Sequence, residues 1–202
     1  MCLGLSELSG YCVHGRDGRL GTVAGIYFDA VDWMVRYLVV HRGARSEPCH
    51  FLLAPAMIRS VDLEIGRISA CLLTGCLADY RPDRLAPTEA AHMDSVTLPR
   101  LYGLEEMLDY HMLAGEEEED IGPLLDLVID ELTWKIHWFV ADANRWQPAS
   151  RVWVRSDCIK QVQEAKKRIT LTIVRGEIMN SPKINRQGLM AKTVPACLLS
   201  DY

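Results

Sequence analysis

The 202-residue chain contains no run of 18 or more apolar residues and no basic stretch leading into an apolar one near its start. It therefore predicts neither a spanning helix nor an export signal, and the expected location is the cytoplasm. Its seven cysteines, at positions 2, 12, 49, 71, 76, 158 and 197, are odd in number and include no Cys-x-x-Cys pair. Reduced thiols are expected in place of a disulfide framework or a zinc site. His14, His41, His50, His92, His111 and His137 are scattered, and no Ser or Cys has a nucleophile-elbow setting. Gly10, Gly15, Gly18 and Gly21 fall in a strand-turn-strand context, not ahead of a helix, so no phosphate loop is encoded. These absences predict a protein that is not an enzyme, with no catalytic, metal-ligating or cofactor-binding residues.

What the chain does have is a repeat. Residues 21–81 align with residues 122–182 at a constant offset of 101, without a gap, through nine identical pairs that include Gly21/Gly122, Asp29/Asp130, Trp33/Trp134, Ile68/Ile169 and Gly75/Gly176. Both copies carry the two-residue alternation of half-buried strands. Val35, Tyr37 and Val39 correspond to Ile136, Trp138 and Val140 as an inward face, with Arg36 and His137 turned away. Phe51 and Leu53 match Val152 and Val154, and Ile68, Ala70 and Leu72 match Ile169, Leu171 and Ile173, with Ser69/Thr170 and Cys71/Thr172 as the outer face. Asp29–Trp33 and Asp130–Trp134 read as hairpin turns, because Asp and Thr bond local backbone and release the chain from a ladder. Thr74–Asp79 and Arg175–Asn180 read as short helical turns ahead of Pro82 and Pro182. About five short strands per copy predict a small barrel or curled sheet.

The organisation that follows is a repeat over residues 1–82, a linker over 83–107 with a short helix near Leu104–Leu108, a second repeat over 108–185 and a tail over 186–202. Small β units bury limited cores, so packing between repeats or self-association into a homo-oligomer is expected to supply more.

The net charge of −5 hides a strong asymmetry. From Glu105 to Glu131 there are eleven acidic residues and no Lys or Arg; from Arg145 to Lys192 there are eleven basic residues against Asp157, Glu164 and Glu177. Solvated faces that pair within or between chains are one reading, and a basic footprint for an acidic partner is the other. The run Glu116–Asp120 offers oxygens to a hard cation but lacks the spaced ligands and glycine turn of a calcium loop. Trp138 takes the inward parity and is expected in the core. Trp153 takes the outward parity between Arg151 and Arg155, and Trp146 lies in a loop. With Lys160, Lys166, Lys167 and Arg168 they make a candidate partner surface, open to a macromolecule or to packing between the repeats.

These residues resemble the PRC-barrel family. The likeness rests on Leu8-Ser-Gly-Tyr11, Asp17-Gly-Arg-Leu-Gly21, Asp29 to Trp33 and Val35-Arg-Tyr-Leu-Val-Val40 in the first copy. In the second it rests on Tyr110-His-Met-Leu-Ala114, Ile121-Gly122, Asp126-Leu-Val-Ile-Asp130, Thr133-Trp134 and Asn180-Ser-Pro182. Two residues are added between Tyr110 and Gly122, where an acidic run replaces the Asp-Gly turn. The resemblance implies an all-β chain of two tandem PRC-type barrels, like bacterial proteins built that way, acting as an adaptor that binds protein. Relatives of the fold imply two further roles: an RNA- or ribosome-associated factor, after the ribosome-maturation factor, and a photosynthetic electron-transport accessory, after the reaction-centre H subunit.

Overall fold

The computed structural model describes residues 2–43, 49–77, 101–146, 148 and 150–180. Most of the expected linker (83–100) and the tail (186–202) lie outside them. The fold is all-β, and its chain divides into two units, one of residues 7–103 and the other of residues 1–6 and 104–202.

The unit of residues 7–103 contains β2 (Cys12–His14), β3 (Arg19–Asp29), β4 (Met34–Arg42), β5 (Cys49–Leu53), β6 (Ile58–Asp62), β7 (Arg67–Ala70) and β8 (Leu101–Gly103). They form one sheet in the order β5-β4-β3-β2-β7-β6, with β8 added on β3; β2 and β7 run parallel and all other pairs antiparallel. The other unit repeats this order with β1 (Cys2–Gly4), β9 (His111–Ala114), β10 (Glu119–Asp130), β11 (Ile136–Asp142), β12 (Arg151–Arg155), β13 (Ile159–Gln163) and β14 (Arg168–Leu171). Its path is β12-β11-β10-β9-β14-β13, with β1 on β10. The expected short helices are α1 (Leu104–Met107) and α2 (Arg175–Asn180), and a 3-10 turn at Thr74–Leu77 stands where α2 stands in the second copy.

Registers agree to the residue. Phe28 pairs with Val35 as Ile129 pairs with Ile136, and Tyr27 with Tyr37 as Val128 with Trp138. Both ladders slip at the same places, between Val23/Gly25 and Leu124/Asp126 and between Tyr27/Phe28 and Val128/Ile129. The second slip corrects the expected inward faces. It leaves Arg36 and His137 as extra residues, and one extra residue sends every later side chain to the opposite face. Val35 and Ile136 do point inward, but Leu38 and Val40 then replace Tyr37 and Val39, and Phe139, fully buried, replaces Trp138. Tyr37 and Trp138 remain equivalent to each other, both half-buried on the outer face. Ile68, Ala70, Ile169 and Leu171 face the cores as expected; Thr170, expected outside, is buried with its hydroxyl unpartnered.

The shared glycine Gly21/Gly122 has a mechanical cause. A Cβ at Gly21 would stand 2.2 Å from the His41 carbonyl oxygen, and one at Gly122, where φ is +140°, 1.9 Å from the equivalent carbonyl of Asp142. Neighbouring backbones approach too closely there for any side chain.

Candidate partner surface

Each β hairpin at the head of a repeat ends in the same turn. Asp29 accepts the Val31 N–H at 2.8 Å, and Asp130 accepts those of Leu132 at 2.7 Å and Thr133 at 3.0 Å. Burial works to raise the Asp130 carboxyl, but the N–H groups of Thr133 and Leu132 bond its charged form and bring it below the ordinary aspartate range. Trp33 and Trp134 close the turns with φ of 58° and 59°, a left-handed conformation that a bulky residue adopts only when its surroundings demand it. The Phe28 ring lies 6.2 Å from Trp33, and Trp134 is buried. In the first copy Arg36 adds a bond to Asp29 at 3.0 Å and another to Asp32. The residues these scaffolds hold out are Val31, 82% exposed, and Leu132, 83% exposed. The Asp and Trp at its ends mark each turn in the sequence, whereas residue type alone does not mark the aliphatic apex as held out.

The outer sheet faces of the two units differ. In the unit of residues 7–103, Tyr27, Tyr37, Val39, Leu52 and Leu101 lie along one face and are half-buried or exposed. In the other unit the equivalent positions hold Val128, Trp138, Val140, Trp153 and Cys2, and Val128, Val140 and Trp153 are buried together with Cys2 and Trp138 packed against them. The Trp138 and Trp153 ring centroids stand 6.2 Å apart. Trp153 is thus a packed residue, 3% exposed, in place of the exposed side chain its outward parity suggests; its indole N–H is buried without a partner. The same outer face also carries Asp126, buried, which accepts the Ser6 N–H at 3.0 Å, the Ser6 hydroxyl at 2.6 Å and the Leu127 N–H at 2.8 Å. Burial pushes its carboxyl up despite those bonds.

The remaining basic candidates are spread over several elements, and part of their charge is answered within the unit. Arg155 bonds Asp157 at 2.8 Å, and the Arg175 guanidinium lies 5.0 Å over the Trp146 ring. Arg151 is half-buried on β12, Lys160 is exposed on β13, and Lys166, Lys167 and Arg168 occupy the turn into β14. That turn lies beside the acidic hairpin, because His111 at the head of β9 pairs with Arg168. Arg168 stands 3.7 Å from Glu118, while Asp120 bonds both Arg145 and, at 3.0 Å, the His111 Nδ1. The acidic and basic halves of the charge pattern meet here as exposed and half-buried pairs of small individual energy.

A cleft of about 420 Å³ opens between Glu116, Glu117 and Glu119 on one side and Val174 to Gly176 on the other. Among the described residues no group of three or more His, Cys, Asp or Glu side chains is placed to hold a metal ion, the acidic run included. Cys158 is half-buried, and burial together with the Asp157 charge pushes its thiol up to about 11, which leaves it a poor nucleophile at neutral pH. No described helix is long and apolar enough to cross a membrane.

No protein-family model matches the chain, and no curated protein matches it either.

Proposed function

We propose that this chain is a cytoplasmic, non-enzymatic adaptor built from two tandem PRC-type β-barrels, and that its partner is a protein engaged by the two hairpin apices. The barrel reading is supported by bulged sheets whose end strands, β5 and β6 in one unit and β12 and β13 in the other, follow one another in the chain through a single 3-10 turn, Pro55–Met57 or Ser156–Cys158. The observation that carries the functional reading is the recurrence of an exposed aliphatic residue, Val31 and Leu132, at the same repeat position. A lone exposed Val needs no explanation. Two at the same repeat position, each held on a turn fixed by an Asp side chain and a left-handed Trp, are two separate preorganised apolar contacts, each losing little entropy on binding.

The RNA-associated reading draws on Lys160, Lys166 and Lys167, all exposed, but the adjoining Glu118 and Asp120 oppose a polyanion at the same turn. A pull-down from source-cell extract, with and without nuclease and alongside a differently tagged second copy, separates the readings. The adaptor predicts discrete proteins that survive nuclease and are lost in the Val31→Asp/Leu132→Asp double variant at unchanged melting temperature. Recovery that nuclease abolishes, and that falls steeply with salt, refutes it in favour of RNA.

A further inference from the structure

The segment ahead of each repeat is itself repeated. Cys2-Leu-Gly-Leu-Ser-Glu-Leu8 matches Leu101-Tyr-Gly-Leu-Glu-Glu-Met107 at an offset of 99. Each begins with a three-residue strand, β1 or β8, and these strands pair in one register: Leu3 opposite Ile129 and Gly4 opposite Val128, Tyr102 opposite Phe28 and Gly103 opposite Tyr27. Ile129 and Val128 are the repeat equivalents of Phe28 and Tyr27, so the two docking sites are the same site. The assignment is crossed. β1, which leads into the first repeat, completes the second, and β8, which leads into the second, completes the first.

Backbone alone does not require the crossing. β8 and β2 lie along one edge of β3, opposite residues 27–29 and 19–22, and β1 and β9 lie in the same way along β10. A chain leaving Gly4 opposite position 27 would need to cover five strand positions, about 17 Å, to enter β2 at Cys12 opposite Thr22, and seven intervening residues reach that easily. Each leading strand could therefore pair with its own repeat and make the same hydrogen bonds.

We propose that the leading strands are recognition elements, each shaped for the other repeat, and that Ser6 and Asp126 are the pair that specifies the exchange. In the crossed arrangement the buried Asp126 carboxylate receives both donors of Ser6. In the uncrossed one the equivalent of Ser6 is Glu105, which would set a second carboxylate in place of two donors against the buried Asp126, a like-charge contact at a part-buried site. The released Ser6 would face Gly25, the repeat equivalent of Asp126, which has no side chain to receive it. The strand side chains agree. Tyr102 stacks 6.2 Å from Phe28, aromatic on aromatic, and Leu3 is buried opposite Ile129, aliphatic on aliphatic. Uncrossing would push Tyr102 into the place Leu3 fills and leave Leu3 short of the volume opposite Phe28; overpacking and cavities both destabilise.

The test reads the pairing covalently in the full chain. Cys2 lies opposite Asp130, and an uncrossed β1 would put it opposite Asp29. Asp130→Cys and Asp29→Cys variants are oxidised and mapped by non-reducing peptide mass spectrometry, with circular dichroism checking that each is folded. Crossed pairing gives a disulfide between Cys2 and position 130 within a single 22.8 kDa chain and none between Cys2 and position 29. Adding Ser6→Glu to Asp130→Cys lowers the crosslink yield at least several-fold, and adding Asp126→Ser to that variant, which restores a donor-acceptor pair with the roles reversed, recovers it. A link to position 29, a link to position 130 found only in covalent dimers, or a yield that Ser6→Glu leaves unchanged overturns the proposal.

Discussion

Ser6 donates two hydrogen bonds to Asp126, at 3.0 Å from its backbone N–H and 2.6 Å from its hydroxyl, across 120 positions of sequence. The contact ties the start of the chain to the middle strand of the second repeat's sheet. Ser6→Ala strips one donor from a buried carboxylate and should destabilise by roughly 1 to 3 kcal/mol, read from urea unfolding.

The same carboxylate gives a pH dependence with a definite sign. Burial, partly opposed by the Ser6 and Leu127 bonds, raises the folded-state Asp126 above its unfolded value. Its contribution is then complete below the ordinary aspartate range and is lost as pH rises through the raised value. Asp126→Asn keeps an acceptor but cannot titrate. Unfolding curves from pH 4 to pH 8 should show wild type losing ground to Asp126→Asn as pH rises; a constant difference would contradict the shift.

Two pairs of shared glycines should behave oppositely. Gly21→Ala and Gly122→Ala force a Cβ into a carbonyl oxygen and should each cost roughly 1 to 3 kcal/mol or more. Gly75 and Gly176, also identical between repeats, have nothing within 4 Å of a built Cβ. Alanine there should leave melting temperatures within a degree or two, or raise them, since both sit in helical turns.

Left-handed residues likewise divide by burial. Lys167, exposed with φ of 50°, gains nothing from its side chain that offsets the backbone cost, so Lys167→Gly should stabilise by about 1 kcal/mol. Trp134 is also left-handed, with φ of 59°, but is buried, and Trp134→Gly should destabilise by roughly 3 kcal/mol or more. Thermal melts of the two variants should move in opposite directions.

Alkylation of Cys158 should be slow at pH 8 and rise only as pH approaches the value of about 11 set by burial and Asp157. Asp157→Asn should quicken it, and peptide-resolved iodoacetamide labelling isolates this thiol from the others.

Much of the fold was legible because the repeat imposes the same constraint twice. The Asp-to-Trp turns, the inward Ile68/Ile169 pair and the short helices α1 and α2 all stand where residue type and spacing put them. The inward face of β4 and β11 was not legible, since a bulge at Arg36 and His137 inverts parity and neither residue announces it. Trp153 misled for a related reason: alternation assigns a face, but only tertiary packing decides whether that face is wet. The crossed leading strands were invisible because three residues carry no periodicity, and Ser6 and Asp126 become partners only through a pairing that local sequence cannot encode. Of the candidate surface, the Lys residues are exposed, whereas the apices at Val31 and Leu132 emerged only from the fold.

The most direct test of the adaptor reading is site-specific photocrosslinking in the source cells, with a benzophenone amino acid at position 31, 132, 160 or 167. The account predicts discrete protein adducts from positions 31 and 132, insensitive to nuclease, and few from 160 and 167. Adducts confined to positions 160 and 167 and carrying RNA, or no adducts from either apex, would contradict it.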